Sequence, residues 1–253
     1  MKLSKLESYY RNQTVWVIGA SEGIGKKLCQ DLYQLGAKLI LSARSKDKLK
    51  LLSDELGECA FHPLDVSDYE AFKEVCGQVF NTQKIDRIIY LPAYYEPMKL
   101  DRLQVEKVRS TIDINLAAVF YLVEFVMPYL KTNPKTQLSV FGSVAGYFGL
   151  PYAQPYAATK AGVISIMQSL KNEQPNLDLK LINPGFVKTQ LTDKNQFNMP
   201  GIITTEEASL HILKGLTKKS FEIHFPKGFT RTLKFIDLLP YSLFFKVMSK
   251  FKQ

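Results

Sequence analysis

Short, nearly unbroken apolar runs alternate along this chain with segments whose apolar positions recur every three or four residues. Thr14-Val15-Trp16-Val17-Ile18 predicts a buried first strand, and 24–35 a helix stopped by Gly36. A second strand is expected over 38–41, a helix over 46–56, and a third strand over 59–61. The helix expected over 67–80 opens with Ser67 and Glu70 at capping-box spacing. A fourth strand follows at 85–91, a long helix at 105–130 and a fifth strand at 137–141. A helix starting at Tyr156, a sixth strand at 179–182, a helix at 205–216 and a last strand at 221–225 complete the pattern. Strands this apolar have no solvent face, so they belong to a parallel sheet covered on both sides.

The architecture predicted is α/β, a Rossmann-type doubly wound parallel sheet carried by one domain over 1–253. A chain of 253 residues with 46% hydrophobic and 23% charged positions can bury such a core. Its net charge of +9 is unevenly placed: residues 214–253 hold nine cations against two acids. The rest is nearly balanced, which argues against nucleic-acid binding. Residues 230–253 interleave those cations with Leu233, Phe235, Ile236, Leu238, Phe244, Phe245 and Met248. This amphipathic segment is read first as a lid over the cleft or a subunit contact, and second as a membrane-facing element. Cys29, Cys59 and Cys76 form no CxxC pair, so neither a disulfide frame nor a metal site is expected. There is no leader-like apolar run at the start and no run of 18 apolar residues. The expected location is cytoplasmic, with peripheral membrane contact through the tail as the variant of that reading.

Gly19, Ser21, Glu22, Gly23, Ile24 and Gly25 lie where the first strand passes into the first helix. Glycines there let the backbone approach a pyrophosphate, whose charge meets the helix N-terminal amides. After the second strand stand Arg44 and Ser45, with no carboxylate to hold ribose hydroxyls, which favours NADP(H) over NAD(H). Asp65 and Val66, after the third strand, suit an adenine contact; Asp65 serves equally well as a helix cap.

Tyr156 and Lys160 are four apart, hence on one helix face. An ammonium beside a phenol favours the phenolate and lowers a pKa that is otherwise near 10. Such a phenol can carry a proton while a hydride moves elsewhere.

Together Gly19-x-x-x-Gly23-x-Gly25, Asp65, Asn115, Ser143 and Tyr156-x-x-x-Lys160 resemble the short-chain dehydrogenase/reductase superfamily over roughly 15–225. Asn183-Pro184-Gly185 with Thr189, and the thirteen-residue step from Ser143 to Tyr156, extend the likeness. The resemblance implies that Tyr156 is the general acid or base and that Lys160 holds the nicotinamide ribose. It implies that Ser143 bonds the substrate oxygen and that Asn115 positions a relay water. Ala93, Pro184, Gly185, Val187 and Thr189 are then nicotinamide-side residues. A homodimer or homotetramer is implied too. Two departures stand out: Tyr90-Leu91-Pro92-Ala93-Tyr94-Tyr95 occupies the place of the family's Asn-Asn-Ala-Gly, whose asparagines brace the sheet, and Glu22 stands where relatives often carry a basic residue that supports NADP. The activity expected is NADP(H)-dependent interconversion of a hydrophobic carbonyl compound and its secondary alcohol. A non-catalytic nucleotide sensor on the same fold is the alternative. A serine hydrolase is disfavoured, because Phe141 and Ala145 stand where a nucleophile elbow around Ser143 needs glycines.

Overall fold

In the computed structural model, which describes residues 3–249, the chain begins with α1 (Leu3–Tyr10), β1 (Thr14–Ile18), α2 (Gly23–Gln34) and β2 (Lys38–Ala43). It continues through α3 (Lys46–Glu55), β3 (Ala60–Pro63), α4 (Tyr69–Thr82) and β4 (Arg87–Tyr90). Next come α5 (Val105–Ile112), a π-helical turn (Asp113–Ala117), α6 (Ala118–Thr132), β5 (Gln137–Phe141) and α7 (Tyr156–Glu173). The last elements are β6 (Leu179–Pro184), α8 (Thr205–Leu216), β7 (Glu222–Phe225), α9 (Lys227–Asp237) and α10 (Tyr241–Met248). The strands lie in the order β3-β2-β1-β4-β5-β6-β7 and pair in parallel throughout.

Successive strand residues serve opposite faces of the sheet. Val15 and Val17 pack with Leu28 and Leu32 of α2 and Ile212 and Leu216 of α8. Trp16 and Ile18 pack with Phe72 of α4, Leu122 and Val126 of α6, and Met167 of α7. Both faces of the central strands are therefore dry, whereas the edge strand β7, Glu222-Ile223-His224-Phe225, alternates half-buried polar and buried apolar residues. The order reverses between β1 and β4, and the crevice at that switch, above the strands' carboxyl ends, is where such sheets take ligands.

Three sequence expectations need correction. The helix after β3 is capped by Asp68, whose Oδ1 accepts from the Ala71 amide at 3.0 Å, and not by Ser67 with Glu70. Ser67 instead donates its hydroxyl to Asp65 at 2.6 Å, and a carboxylate is the better acceptor at a helix N-terminus. Helix α1 was not foreseen. Its Tyr9 and Tyr10 rings cover the Arg87 guanidinium at 4.7 and 5.4 Å, and the Tyr10 hydroxyl donates to the Leu213 carbonyl. Finally, Val105–Thr132 is long and apolar enough to cross a membrane by length and composition, although none was expected. Here its buried residues Ala118, Leu122, Val126 and Leu130 fall at helical intervals against the sheet, as in a core helix. The tail divides at Pro240 into α9 and α10, and residues 250–253 lie outside the described residues.

Candidate active site

A cleft of about 1220 Å³ opens above the carboxyl ends of the strands. Its floor at one end is the glycine turn. Gly19 sits at φ +92°, and a Cβ at Gly25 would collide with the Gly19 carbonyl oxygen. Glu22 precedes α2 without bonding the helix amides through its side chain, and the first turn of α2 carries no acid. The bare amides and the glycine cradle fit a nucleotide pyrophosphate. Thr189 faces Gly23 from the opposite wall, its methyl 3.3 Å from where a Cβ would stand. Ser21, Ile24, Asp65, Val66, Ala93, Pro184, Gly185 and Val187 also line the cleft, as do Arg44 and Ser45 at its outer rim. The Ser45 hydroxyl accepts from the Lys48 amide as the cap of α3, and Asp65 turns an oxygen to Ser67. Lys48, which sequence reasoning missed, forms an ion pair with Glu22 on this rim. The acid that seemed to oppose a 2′-phosphate is thereby met by a cation.

At the inner end, Ser143 follows β5 and Tyr156 opens α7, so the strand end and the helix start bring them together. Both side chains line the cleft, where the Ser143 hydroxyl lies near enough to the Tyr156 phenol to favour its ionised form. Lys160, one turn on, is fully enclosed and donates to the Phe141 carbonyl at 2.8 Å. Burial pushes the Tyr156 phenol up to about 12; the nearby Ser143 hydroxyl pulls it back, and Tyr95 adds a small upward push. Burial likewise brings the Lys160 ammonium down to about 7. The expected lowering of the phenol by its neighbour's charge is therefore reversed. Lys160 aims at a backbone carbonyl and passes 5.7 Å from the phenol ring centre, so desolvation outweighs its attraction.

Asn115 does not line the cleft. It sits in the π-helical turn, almost wholly buried, with its Oδ1 accepting from the Tyr94 amide at 2.7 Å. Its Nδ2 donates to the Tyr94 carbonyl at 2.8 Å and to the Thr159 hydroxyl at 3.2 Å. The side chain acts as a brace. It ties the unusual 91–95 segment to α7, a brace in a place where the family's asparagines are absent. That segment is held further by the Leu91 amide on the Ile18 carbonyl and by Lys194 on the Tyr95 carbonyl. Asn115→Ala strips three bonds from buried groups and is expected to cost about 2–4 kcal/mol of stability. Urea unfolding checks this; a loss below roughly 0.5 kcal/mol would remove the bracing role.

The substrate end is walled by Tyr95, Phe148, Tyr152, Phe186, Phe197, Phe229, Leu233, Ile236 and Met248. Tyr95 packs edge-on against Tyr156 at 5.1 Å and donates to Asn195 at 2.8 Å. Helix α9 is pinned by Glu222 of β7, which takes Lys234 on one oxygen and, on the other, Tyr147 and Asn183 at 2.8 Å each. No sequence signal pointed to that cluster, because its members come from four separate segments.

Fold and site together define a dinucleotide-dependent oxidoreductase. A short chain dehydrogenase model matches residues 13–199. The chain belongs to the short-chain dehydrogenase/reductase family. An uncharacterised oxidoreductase of Myxococcus xanthus is 29% identical over 245 residues, 94% of this chain and 96% of that protein. A 3-oxoacyl-(acyl-carrier-protein) reductase of Thermotoga maritima is 31% identical over 185 residues, covering 70% of this chain and 75% of the relative. Among solved structures, a short chain dehydrogenase from Burkholderia cenocepacia in complex with NADP shares the fold, with a TM-score of 0.83. It is 18% identical and the match covers 94% of this chain and 98% of that one. An alcohol dehydrogenase from Thermococcus sibiricus, complexed with 5-hydroxy-NADP, has a TM-score of 0.77 at 23% identity, covering 85% and 96%.

Proposed function

We propose that this protein reduces an apolar carbonyl compound with NADPH, or oxidises the matching secondary alcohol with NADP. The observation that carries this reading is the convergence of Ser143, Tyr156 and the enclosed Lys160 on one cleft, where a nucleotide cradle meets an aromatic wall. The nicotinamide, when bound, supplies or accepts the hydride. The protein's part is the oxygen. Ser143 and Tyr156 offer two hydroxyl donors to a carbonyl oxygen that gains charge as hydride arrives, and Tyr156 then gives it a proton. A phenol raised to about 12 stays protonated at neutral pH, which suits reduction. Lys160 stands where it can bond the nicotinamide ribose, and the glycine turn takes the pyrophosphate.

Arg44, Ser45 and Lys48 support the NADP preference, since they gather two cations at the rim where a 2′-phosphate would lie. The NADP named with the solved neighbours supports it also. Purified protein given NADPH and a panel of ketones is expected to consume cofactor fastest with bulky apolar substrates. No consumption with any ketone, despite cofactor binding, would leave a sensor instead. The Arg44→Ala/Lys48→Ala double substitution is expected to raise the NADPH KM roughly 10–100-fold and leave NADH nearly unchanged. Equal effects on both cofactors would defeat the 2′-phosphate assignment.

A further inference from the structure

Helices α9 and α10 leave a large apolar surface uncovered. Their inner sides are occupied: Phe229, Leu233 and Ile236 of α9 and Met248 of α10 face the cleft. Their outer sides present Phe235, Leu238, Tyr241 and Phe245, which are 66%, 81%, 79% and 62% exposed. Four such side chains on two consecutive short helices amount to a patch, since isolated surface apolar residues are scattered singly.

The patch is continuous with the cleft. Phe148, on the cleft wall, meets Phe244 edge-on at 5.3 Å; Phe244 meets Phe245 at 5.3 Å, and Phe245 stacks on Tyr241 at 5.9 Å. An unbroken row of rings thus runs from the catalytic chamber to the outer surface.

Cations flank it. Lys227, Arg231 and Lys246 are exposed on the same two helices, where Asp237 is the one acid among the described residues. Burial and then the neighbouring Arg231 charge hold the Lys227 ammonium below its usual range, and Lys218 and Lys234 add to this against Glu222. Among the exposed charged side chains of the two helices, three cations thus stand against the single acid Asp237.

We propose that the α9–α10 surface docks on an anionic lipid bilayer, with Phe148 and Phe244 forming the portal through which an apolar carbonyl compound passes from lipid to Tyr156. Large apolar and aromatic side chains interleaved with cations match the interfacial zone of such a membrane, where rings sit at headgroup depth and lysines meet lipid phosphate. An acidic soluble protein would satisfy the cations but leave the aromatic patch in water. The substrate route rests on the carbonyl-reduction reading of the site; the docking surface does not.

Flotation of the full chain with phosphatidylcholine vesicles, with and without phosphatidylglycerol, tests it. Partitioning onto the anionic vesicles is expected, weakened by salt and nearly absent without phosphatidylglycerol. Leu238→Glu/Phe245→Glu is expected to cut that partitioning by roughly tenfold or more. The same variant should keep turnover of a water-soluble ketone and lose the advantage given by vesicle-dissolved ketone. Equal flotation of variant and wild type would overturn the proposal. So would no flotation of the wild type, whether it is then retained on immobilised poly-glutamate or forms a larger assembly that the variant does not. Flotation without any ketone turnover would count against the reductase reading and leave docking standing.

Discussion

Replacing Tyr156 by phenylalanine is expected to lower turnover by roughly 10²–10⁴-fold while the NADPH KM stays within about threefold. The substitution keeps the ring that packs against Tyr95 and the start of α7, and removes only the hydroxyl. Substrate oxygen would retain one donor, Ser143, and lose its proton source. The pH dependence has a definite sign. Reduction needs the phenol, which is protonated well into the alkaline range, so its rate should be flat across neutral pH and fall at high pH. Oxidation needs the phenolate, so its rate should climb with pH toward about 12. Steady-state rates in both directions, with the variant's fold confirmed by circular dichroism, measure these effects. Full turnover in the phenylalanine variant would defeat the assignment of the proton donor.

Lys160→Met should do two opposite things: abolish most turnover and stabilise the protein. An enclosed ammonium with a backbone carbonyl as its hydrogen-bond acceptor is costly, and its depression to about 7 expresses that cost. In the unfolded chain the same group titrates near 10.5. Below pH 7 both states carry the proton, and the folded state bears the whole penalty. Between about 7 and 10.5 the folded state has lost the proton and the unfolded state has not, so the penalty fades as pH rises. The methionine variant is thus expected to be more stable than wild type by about 1–4 kcal/mol at pH 7, the lost Phe141 bond offsetting part of the gain. The difference should shrink toward pH 10. Urea denaturation at both pH values decides the matter, and a variant less stable than wild type at neutral pH would sink it.

Most of the sheet was legible because its strands are nearly continuous apolar runs, which leave few alternatives to a two-faced parallel core. Gly19 to Gly25, Ser143, Tyr156 and Lys160 were legible because turn, strand end and helix start put them at set intervals. What the sequence hid depends on distant partners. Lys48 matters through Glu22, twenty-six positions away, and Glu222 through Tyr147 and Asn183. Helix α1 is short and earns its place only by packing Leu6 and Tyr10 into a core made by later segments. The direction of the Tyr156 shift was misread because spacing reveals a neighbouring charge but not the loss of water around it. The bracing bonds of Asn115 were hidden for a related reason, since its partner Tyr94 lies twenty-one positions away.

The π-helical turn at Asp113–Ala117 gives that long helix two rotational phases. Within it Asn115 reaches Tyr94 of the 91–95 segment; downstream, Leu122, Val126 and Leu130 meet the sheet. A π turn holds one residue more than the α turn it replaces. Deleting a single residue there would yield a smoother helix and turn the downstream stripe by about 100° relative to Asn115. Either the core or the brace would then lose registry. The irregular turn is the gear by which one continuous helix keeps the sheet's core and the catalytic helix's brace in step.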